Sequence, residues 1–253
     1  MARRDRPSER LRIPQPMIRS RIASGRGAME QPNVTGDGDT RLTPAFWVSI
    51  LAVGIATGLL GALLMLLLFE VQYAAFGYHQ GSFEAGVEMA SATRRVLSLV
   101  IAGAFGGVAW YFLRRYTKGE KSEVDDVIWH GDGRLSFRRC LGNSVISEIV
   151  IGMGASIGRE AAPKAMGGAA GSVLAGWFHL STAHRRLLVA CGGGAGLAAV
   201  YNVPLGGALF TAEILVGSLA LPVILPALAC SMVATVTAWV YLPSHATYLD
   251  IPA

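Results

Sequence analysis

Two charged residues, Arg159 and Glu160, stand between long apolar runs, where an unpaired charge is costly. Gly158 precedes them and Pro163 follows, and the first turn of a helix tolerates proline. The pattern therefore predicts Glu160 at a helix N-terminus, beside free backbone N–H groups. A carboxylate there occupies the place that an anion would take, and it would admit the anion by moving away or by being protonated. We interpret the motif as a gate. The alternative is a solvated ion pair in an interfacial loop.

The elements that must position these residues are predicted to be membrane helices. The chain is 52% hydrophobic and 15% charged, whereas a soluble domain has about 25% charged residues. Residues 46–69 form a run of 24 without a charge, and residues 96–113 a run of 18, so both can span a ~30 Å hydrocarbon layer. Thr43-Pro44 marks the entry to the first run. One face of it carries small residues that allow another helix to approach: Gly54, Gly58 and Gly61.

The later apolar runs are short and interrupted. We expect a short helix from Ser122, its N-cap, to residue 129, and apolar helices over 137–154, 185–201, 205–221 and 223–241. Asn202-Val203-Pro204 breaks the chain between two of them, and three further prolines punctuate the end: Pro222, Pro226 and Pro243. Irregular backbone at membrane depth survives only where protein or a water-filled cavity covers it. Broken helices in a glycine-rich bundle are typical of a transport site.

The excess positive charge belongs to the N-terminal segment. Residues 1–45 hold nine arginines and five acidic residues, a net charge of +4 out of the total of +5. We predict a disordered cytoplasmic tail over 1–45 and a membrane domain over 46–253. We expect this tail to bind anionic lipid and not nucleic acid, since the tail has no aromatic residues interleaved with its arginines. An upstream mis-assigned start, with Met17 or Met29 as the true one, is the alternative for this segment.

Two other kinds of chemistry fit the sequence poorly. Gly154-Ala155-Ser156-Ile157-Gly158 matches the pattern of a hydrolase nucleophile elbow, but its flanks lack the alternation of a strand. We read it as a helix-packing face and do not expect an enzyme. Three cysteines stand far apart in apolar surroundings, which suits neither a disulfide framework nor a metal site: Cys140, Cys191 and Cys230. We expect no metal or other cofactor.

The motifs together resemble those of one family. Gly158-Arg159-Glu160 resembles the gating-glutamate motif of the CLC chloride channel and transporter family, and residues 192–213 resemble its glycine-rich helix, Asn-x-Pro break and following helix. The resemblance is strong over about 152–215 and looser over 46–253. It implies an all-α integral membrane protein of tilted and broken helices, the first inverted-repeat half of a CLC subunit. It also implies chloride or a similar anion as the transported species and a homodimer in the membrane.

Carried over residue by residue, the resemblance makes Glu160 the gating glutamate. Glu213 matches a glutamate near the end of the helix that follows the break at Asn202 and Pro204. The next position is a second glutamate in many proton-coupled members, whereas this chain has Ile214. The resemblance therefore implies passive, channel-type conduction.

The sequence departs from the family in three places. The family's Gly-Ser-Gly-Ile-Pro motif has no counterpart, and Gly119 takes the place of its anion-binding serine, with Ser122 as a displaced substitute. In the glutamate motif the proline comes one residue late, at Pro163. Lys164 follows Glu160 by four residues, the spacing of a helical ion pair, and we expect it to hold that carboxylate or to attract the anion itself.

The length is about half that of a family subunit. We expect either a fragment or a chain whose second half is supplied in cis or in trans. The alternatives are a degenerate membrane protein without independent transport, one half of a two-chain anion/proton exchanger and, less favoured, a cation-coupled solute carrier. We expect a multi-pass protein of the cell membrane, the inner membrane of a bacterium, with its N-terminus in the cytoplasm.

Overall fold

The computed structural model describes residues 42–78 and 83–242, and all regular structure within them is helical. The helices are α1 (Pro44–Phe76), α2 (Phe83–Met89), α3 (Ala92–Tyr116), α4 (Val124–Trp129), α5 (Phe137–Gly152), α6 (Ala161–Trp177), α7 (Thr182–Tyr201), α8 (Pro204–Phe210) and α9 (Leu221–Ala238). The predicted all-α membrane class is confirmed, since α1, α3 and α9 are each long and apolar enough to cross a membrane. The predicted tail lies almost wholly outside the described residues.

Helix α1 begins where the sequence predicts and ends later. The Thr43 hydroxyl caps it by accepting a hydrogen bond from the Phe46 N–H at 3.3 Å, and Pro44 occupies the first turn. The helix then runs past residue 69, where the uncharged run ends, and continues to Phe76. It ends at Gly77, whose φ of 72° is the left-handed conformation that glycine adopts without strain.

The centre of the bundle is the contact between α6 and α7, and it is built from glycine. A Cβ atom on Gly167 or Gly192 would overlap the carbonyl oxygen of the other residue, and one on Gly196 would overlap that of Pro163. A Cβ on Gly171 would lie 2.5 Å from the Leu188 oxygen. Backbone therefore packs directly on backbone, which is how small residues hold membrane helices together where lipid provides no hydrophobic drive.

Helix α1 covers one side of this pair and also contacts α9. A Cβ atom on Gly58 would overlap the Ala234 carbonyl oxygen, and one on Gly54 would lie 2.8 Å from Val233. Gly61 faces α7 instead, with Ala199 and Val200 3.5 Å from the position of such an atom. The small-residue face predicted for the first span is thus confirmed, and it contacts two helices.

In the last third of the chain, two features of the helices differ from the prediction. We expected one helix over 205–221, but α8 passes into a π-helical turn, Thr211–Val216, and ends at Gly217 with φ 71°. We also expected Pro226 to interrupt the chain, yet it lies inside α9. Helices in a membrane tolerate such a proline because neighbouring groups satisfy the carbonyl that it leaves free.

Candidate functional site

Glu160 stands at the start of α6, as the sequence predicts. It is the N-cap residue, and its side chain makes no capping hydrogen bond with the helix. Pro163 has no N–H group, and the Lys164 N–H donates to the Glu160 carbonyl oxygen at 3.3 Å. The helix itself therefore supplies no partner for the N–H groups of Ala161 and Ala162. A helix start of this kind, with amides and the positive end of the helix dipole, favours an anion.

Gly158 explains where the Glu160 carboxylate lies. Its φ is 86°, and a Cβ atom on it would lie 2.8 Å from Glu160 Oε2. The carboxylate is therefore turned back over the glycine and away from a capping position. Glu160 is also exposed at the surface of the described helices. A residue with a side chain at position 158 would both strain the backbone and push the carboxylate aside.

Arg159 points the other way, into the protein. Its Nη2 atom donates to the Met65 sulfur of α1 at 3.3 Å, and its buried Nε atom has no hydrogen-bond partner in the described part of the chain. The charged group of opposite sign that it acts on is Glu148 of α5. Glu148 is 3% exposed, and its Oε2 atom is likewise without a partner among the described residues. The buried carboxyl group of Glu148 and the half-buried guanidinium of Arg159 therefore act on each other behind the motif.

Lys164 does not hold the Glu160 carboxylate. Its Nζ atom forms an ion pair with Asp125 Oδ2 at 2.8 Å, and the lysine side chain is 24% exposed. Asp125 belongs to the first turn of α4, so this ion pair joins the first turns of α4 and α6. The expected i,i+4 pair is replaced because an acidic residue from another helix is within reach of the lysine.

The segment before α4 differs from its prediction. The N-cap residue of α4 is Glu123 and not Ser122, and it makes no side-chain capping bond. The Ser122 carbonyl oxygen instead accepts a long hydrogen bond from the Cys140 sulfur at 3.8 Å. Gly119 has a φ of 83° and is exposed, with nothing within 4 Å of the position of a Cβ atom. The Asp125–Lys164 ion pair holds the helix that follows this segment against α6, but within the described residues neither Gly119 nor Ser122 contacts Glu160.

The helix break falls where the sequence predicts. Helix α7 ends at Tyr201, Asn202 adopts the left-handed conformation (φ 57°, ψ 43°), and Pro204 opens α8. The Asn202 Oδ1 atom accepts a hydrogen bond from Trp239 Nε1 at 2.9 Å, just past the end of α9. Asparagine suits this position because its short polar side chain tolerates a positive φ.

Glu213 and Ile214 lie together in the π-helical turn. Both are exposed at the surface of the described bundle, Ile214 by 57%. The turn is fixed from inside by Thr211, whose hydroxyl donates toward the Gly207 carbonyl oxygen at 3.0 Å. The structure thus presents an apolar residue at the position where the family resemblance places a second glutamate.

Two contributors to the site were not assigned a role from the sequence. Glu148 is the single charged residue in the apolar stretch 141–158. A lone charge in such a stretch could have marked it as a functional candidate from the sequence. Asp125 carried no such signal, because its partner lies 39 residues away on another helix. Only the packing of α4 against α6 shows that they meet.

The fold and the site define an α-helical, multi-pass membrane protein, in which a glutamate at the start of α6 follows a half-buried arginine. The sequence model of the voltage-gated chloride channel family matches residues 102–252. The chain therefore belongs to this CLC family, as the resemblance of the motifs indicated.

Relatives and a solved structure agree with this family. The chain is 32% identical over 194 residues to a voltage-gated ClC-type chloride channel, ClcB, of Yersinia pseudotuberculosis, covering 74% of this chain and 47% of that protein. It is 31% identical over 196 residues to ClcB of Shigella flexneri, covering 77% and 46%. The fold is similar to the crystal structure of a slow cyanobacterial Cl−/H+ antiporter, with a TM-score of 0.64 and 24% identity over 81% of this chain and 48% of that one. The chain thus spans about half the length of the curated relatives it matches.

Proposed function

We propose that this chain forms one side of a chloride pathway across a membrane, with Glu160 as its gate. Membership of the chloride channel family supports the transported ion. The observation that carries the gate is the start of α6, where the first amides have no partner from the helix and the carboxylate is turned back over Gly158. In this arrangement, a chloride ion takes the place at the helix start that the carboxylate leaves open.

Conduction past this gate would be passive. In proton-coupled relatives of the kind that the resemblance describes, a second glutamate follows the position of Glu213. Here an apolar residue, Ile214, occupies that place, and it has no group that can carry a proton. Chloride would then move down its own gradient, held mainly by the helix dipole and the free amides at the start of α6.

The rest of the pathway would come from further helices, in the same polypeptide or in a partner chain. Two observations support this. The relatives are about twice as long, and Glu160 is exposed although an anion site must be enclosed. Apolar side chains on α8 and α9 also stay exposed, among them Leu205, Leu209 and Leu225, which is consistent with a homodimer in the membrane. The bacterial relatives support a bacterial inner membrane, and the basic residues in the last turn of α3 and just beyond it support a cytoplasmic N-terminus.

The test is chloride efflux from liposomes that contain the protein together with whatever chain co-purifies from its native membrane. We expect efflux above that of protein-free liposomes, and we expect no accompanying proton movement. Substituting Glu160 by Gln should change the rate, whereas Glu84→Gln, on exposed α2, serves as the matched control and should not. Proton movement in a fixed ratio to chloride would contradict the passive mechanism and favour one half of a two-chain exchanger.

The second candidate is a membrane protein of this family that does not conduct on its own. The half-length match to its relatives favours it. It predicts no efflux above the protein-free level, whichever chain is added, and an unchanged result for Glu160→Gln.

A further inference from the structure

The buried carboxyl group of Glu148 has no assigned role, and its surroundings are unusual for a charge. Glu148 is 3% exposed, lies in a run of 19 residues (140–158) without another charge, and keeps one oxygen atom, Oε2, without a hydrogen-bond partner among the described residues. Buried carboxylates are normally paired or hydrogen-bonded, because the charged form loses its hydration when it leaves water. An unpaired one inside a membrane helix is a functional hypothesis by default.

The packing of α5 places Glu148 behind the gate. The Ser144 hydroxyl donates to the Ala162 carbonyl oxygen at 3.1 Å, so this face of α5 contacts the first turn of α6. Glu148 lies one helical turn further along the same face, about 6 Å away along the helix axis. Ile151, on the same face, packs with Met65 of α1. Since Met65 also contacts Arg159, the carboxyl group lies in the layer that supports the Gly158–Glu160 loop.

The charge of Arg159 acts on Glu148, but the two side chains do not form a direct ion pair. Their charges act on each other, but the described part of the chain shows no contact within 4 Å between them. Each side chain keeps a buried atom without a partner, Oε2 on the glutamate and Nε on the arginine. A polar site of this kind is where a buried water is expected, because such a water satisfies both groups.

The other titratable groups on the elements around this face are engaged or distant. Lys164 of α6 is bound to Asp125, and Glu70 of α1 is exposed to the surroundings. Helix α3 packs on the opposite face of α5, where Ala102 contacts Ile146 and Val150. Arg159 and, beyond it, Glu160 are therefore the charged groups on the Glu148 side.

We propose that Glu148 is a proton-binding site whose protonation makes the anion site more attractive to chloride. The predicted effect on transport rests on the proposed anion pathway. The proton site itself is independent of that pathway. Protonation forms one O–H bond at the carboxyl group and takes its proton from water, and nothing is oxidised or reduced. With Glu148 ionised, its charge offsets that of Arg159. With Glu148 neutral, nothing offsets the charge of Arg159, which lies two residues before the first residue of α6, so acid pH favours an anion there.

The proton site is tested by infrared difference spectroscopy of the purified protein between alkaline and acid pH. A buried carboxyl group that gains a proton gives a carboxylic C=O stretching band, and this band should be absent from Glu148→Gln. The matched control is Glu70→Gln, which removes an exposed carboxyl group from α1 and should keep the band. Glu148→Asp keeps a carboxyl group, so it should retain a shifted band and covers the case in which the glutamine variant does not fold. A spectrum of Glu148→Gln identical to that of the parent protein overturns the proposal.

The effect on transport is tested in a Glu160→Gln background, which removes the ionisable group of the gate itself. There we expect chloride efflux that still rises toward acid pH. Adding Glu148→Gln should abolish that rise and fix the rate near its acid value. Absence of efflux from the parent protein would contradict the proposed pathway and leave the infrared result to decide on Glu148. Efflux with an unchanged rise in the double variant would contradict the role of Glu148 while the pathway stands.

Discussion

The contact between α6 and α7 makes a quantitative prediction for Gly171→Ala. The new Cβ atom would lie 2.5 Å from the Leu188 carbonyl oxygen and 3.0 Å from Val189 Cα. Carbon and carbonyl oxygen approach each other to about 3.3 Å at a helix–helix contact, so the helices must separate locally by about 0.8 Å. Overpacking of this kind costs about 1–3 kcal/mol. For a protein of this size, that cost lowers the midpoint of thermal unfolding by about 2–12 °C.

The assay is thermal unfolding of the detergent-solubilised protein, followed by tryptophan fluorescence. Gly176→Ala is the matched control, because it makes the same change five residues further along α6, where a Cβ atom would meet nothing within 4 Å. We expect the control to unfold at or slightly above the temperature of the parent protein, since alanine is the better helix former by about 1 kcal/mol. Equal midpoints for Gly171→Ala and Gly176→Ala would refute the inference that this glycine is required by backbone contact.

Two further substitutions test contacts near the site. Asn202→Val places a β-branched residue in the left-handed conformation and removes the hydrogen bond from Trp239, so we expect a loss of about 2 kcal/mol in stability, whereas Asn202→Gly should lose less. Equal denaturation midpoints for these two variants would argue against strain at this position. A double-mutant cycle of Lys164→Met and Asp125→Asn should give a coupling energy of about 0.2–1 kcal/mol that shrinks in high salt. A coupling of zero at low salt would show that the ion pair does not contribute.

The sequence predicted much of the fold because composition and the residues that begin or end helices are local signals. The start of α1 at Thr43-Pro44 and the break at Asn202 both depend on residues whose conformational preferences are strong. The start of α6 after Glu160 follows from the same reasoning about proline in a first turn. These predictions are confirmed within a residue or two.

What the sequence did not predict depends on packing. The termination of α8 within a π-helical turn is supported by the bond from Thr211 to the carbonyl of Gly207, which no local pattern reveals. The predicted ion pair between Lys164 and Glu160 was wrong, because Lys164 pairs instead with Asp125 on another helix. The neighbourhood of Glu148 and Arg159 could not be foreseen either, since it requires α5 and the Gly158–Glu160 loop to meet.

The role of Glu160 is tested most directly by the pH dependence of chloride efflux from liposomes, measured for the parent protein and for Glu160→Gln. We predict that efflux through the parent rises toward acid pH, because a neutral Glu160 side chain no longer repels chloride from the start of α6. For Glu160→Gln we predict a faster rate and a smaller rise toward acid pH, the part that Glu148 contributes, with Glu84→Gln unchanged. Equal rates and equal pH dependence in the parent and in Glu160→Gln would contradict the assignment of Glu160 as the gate.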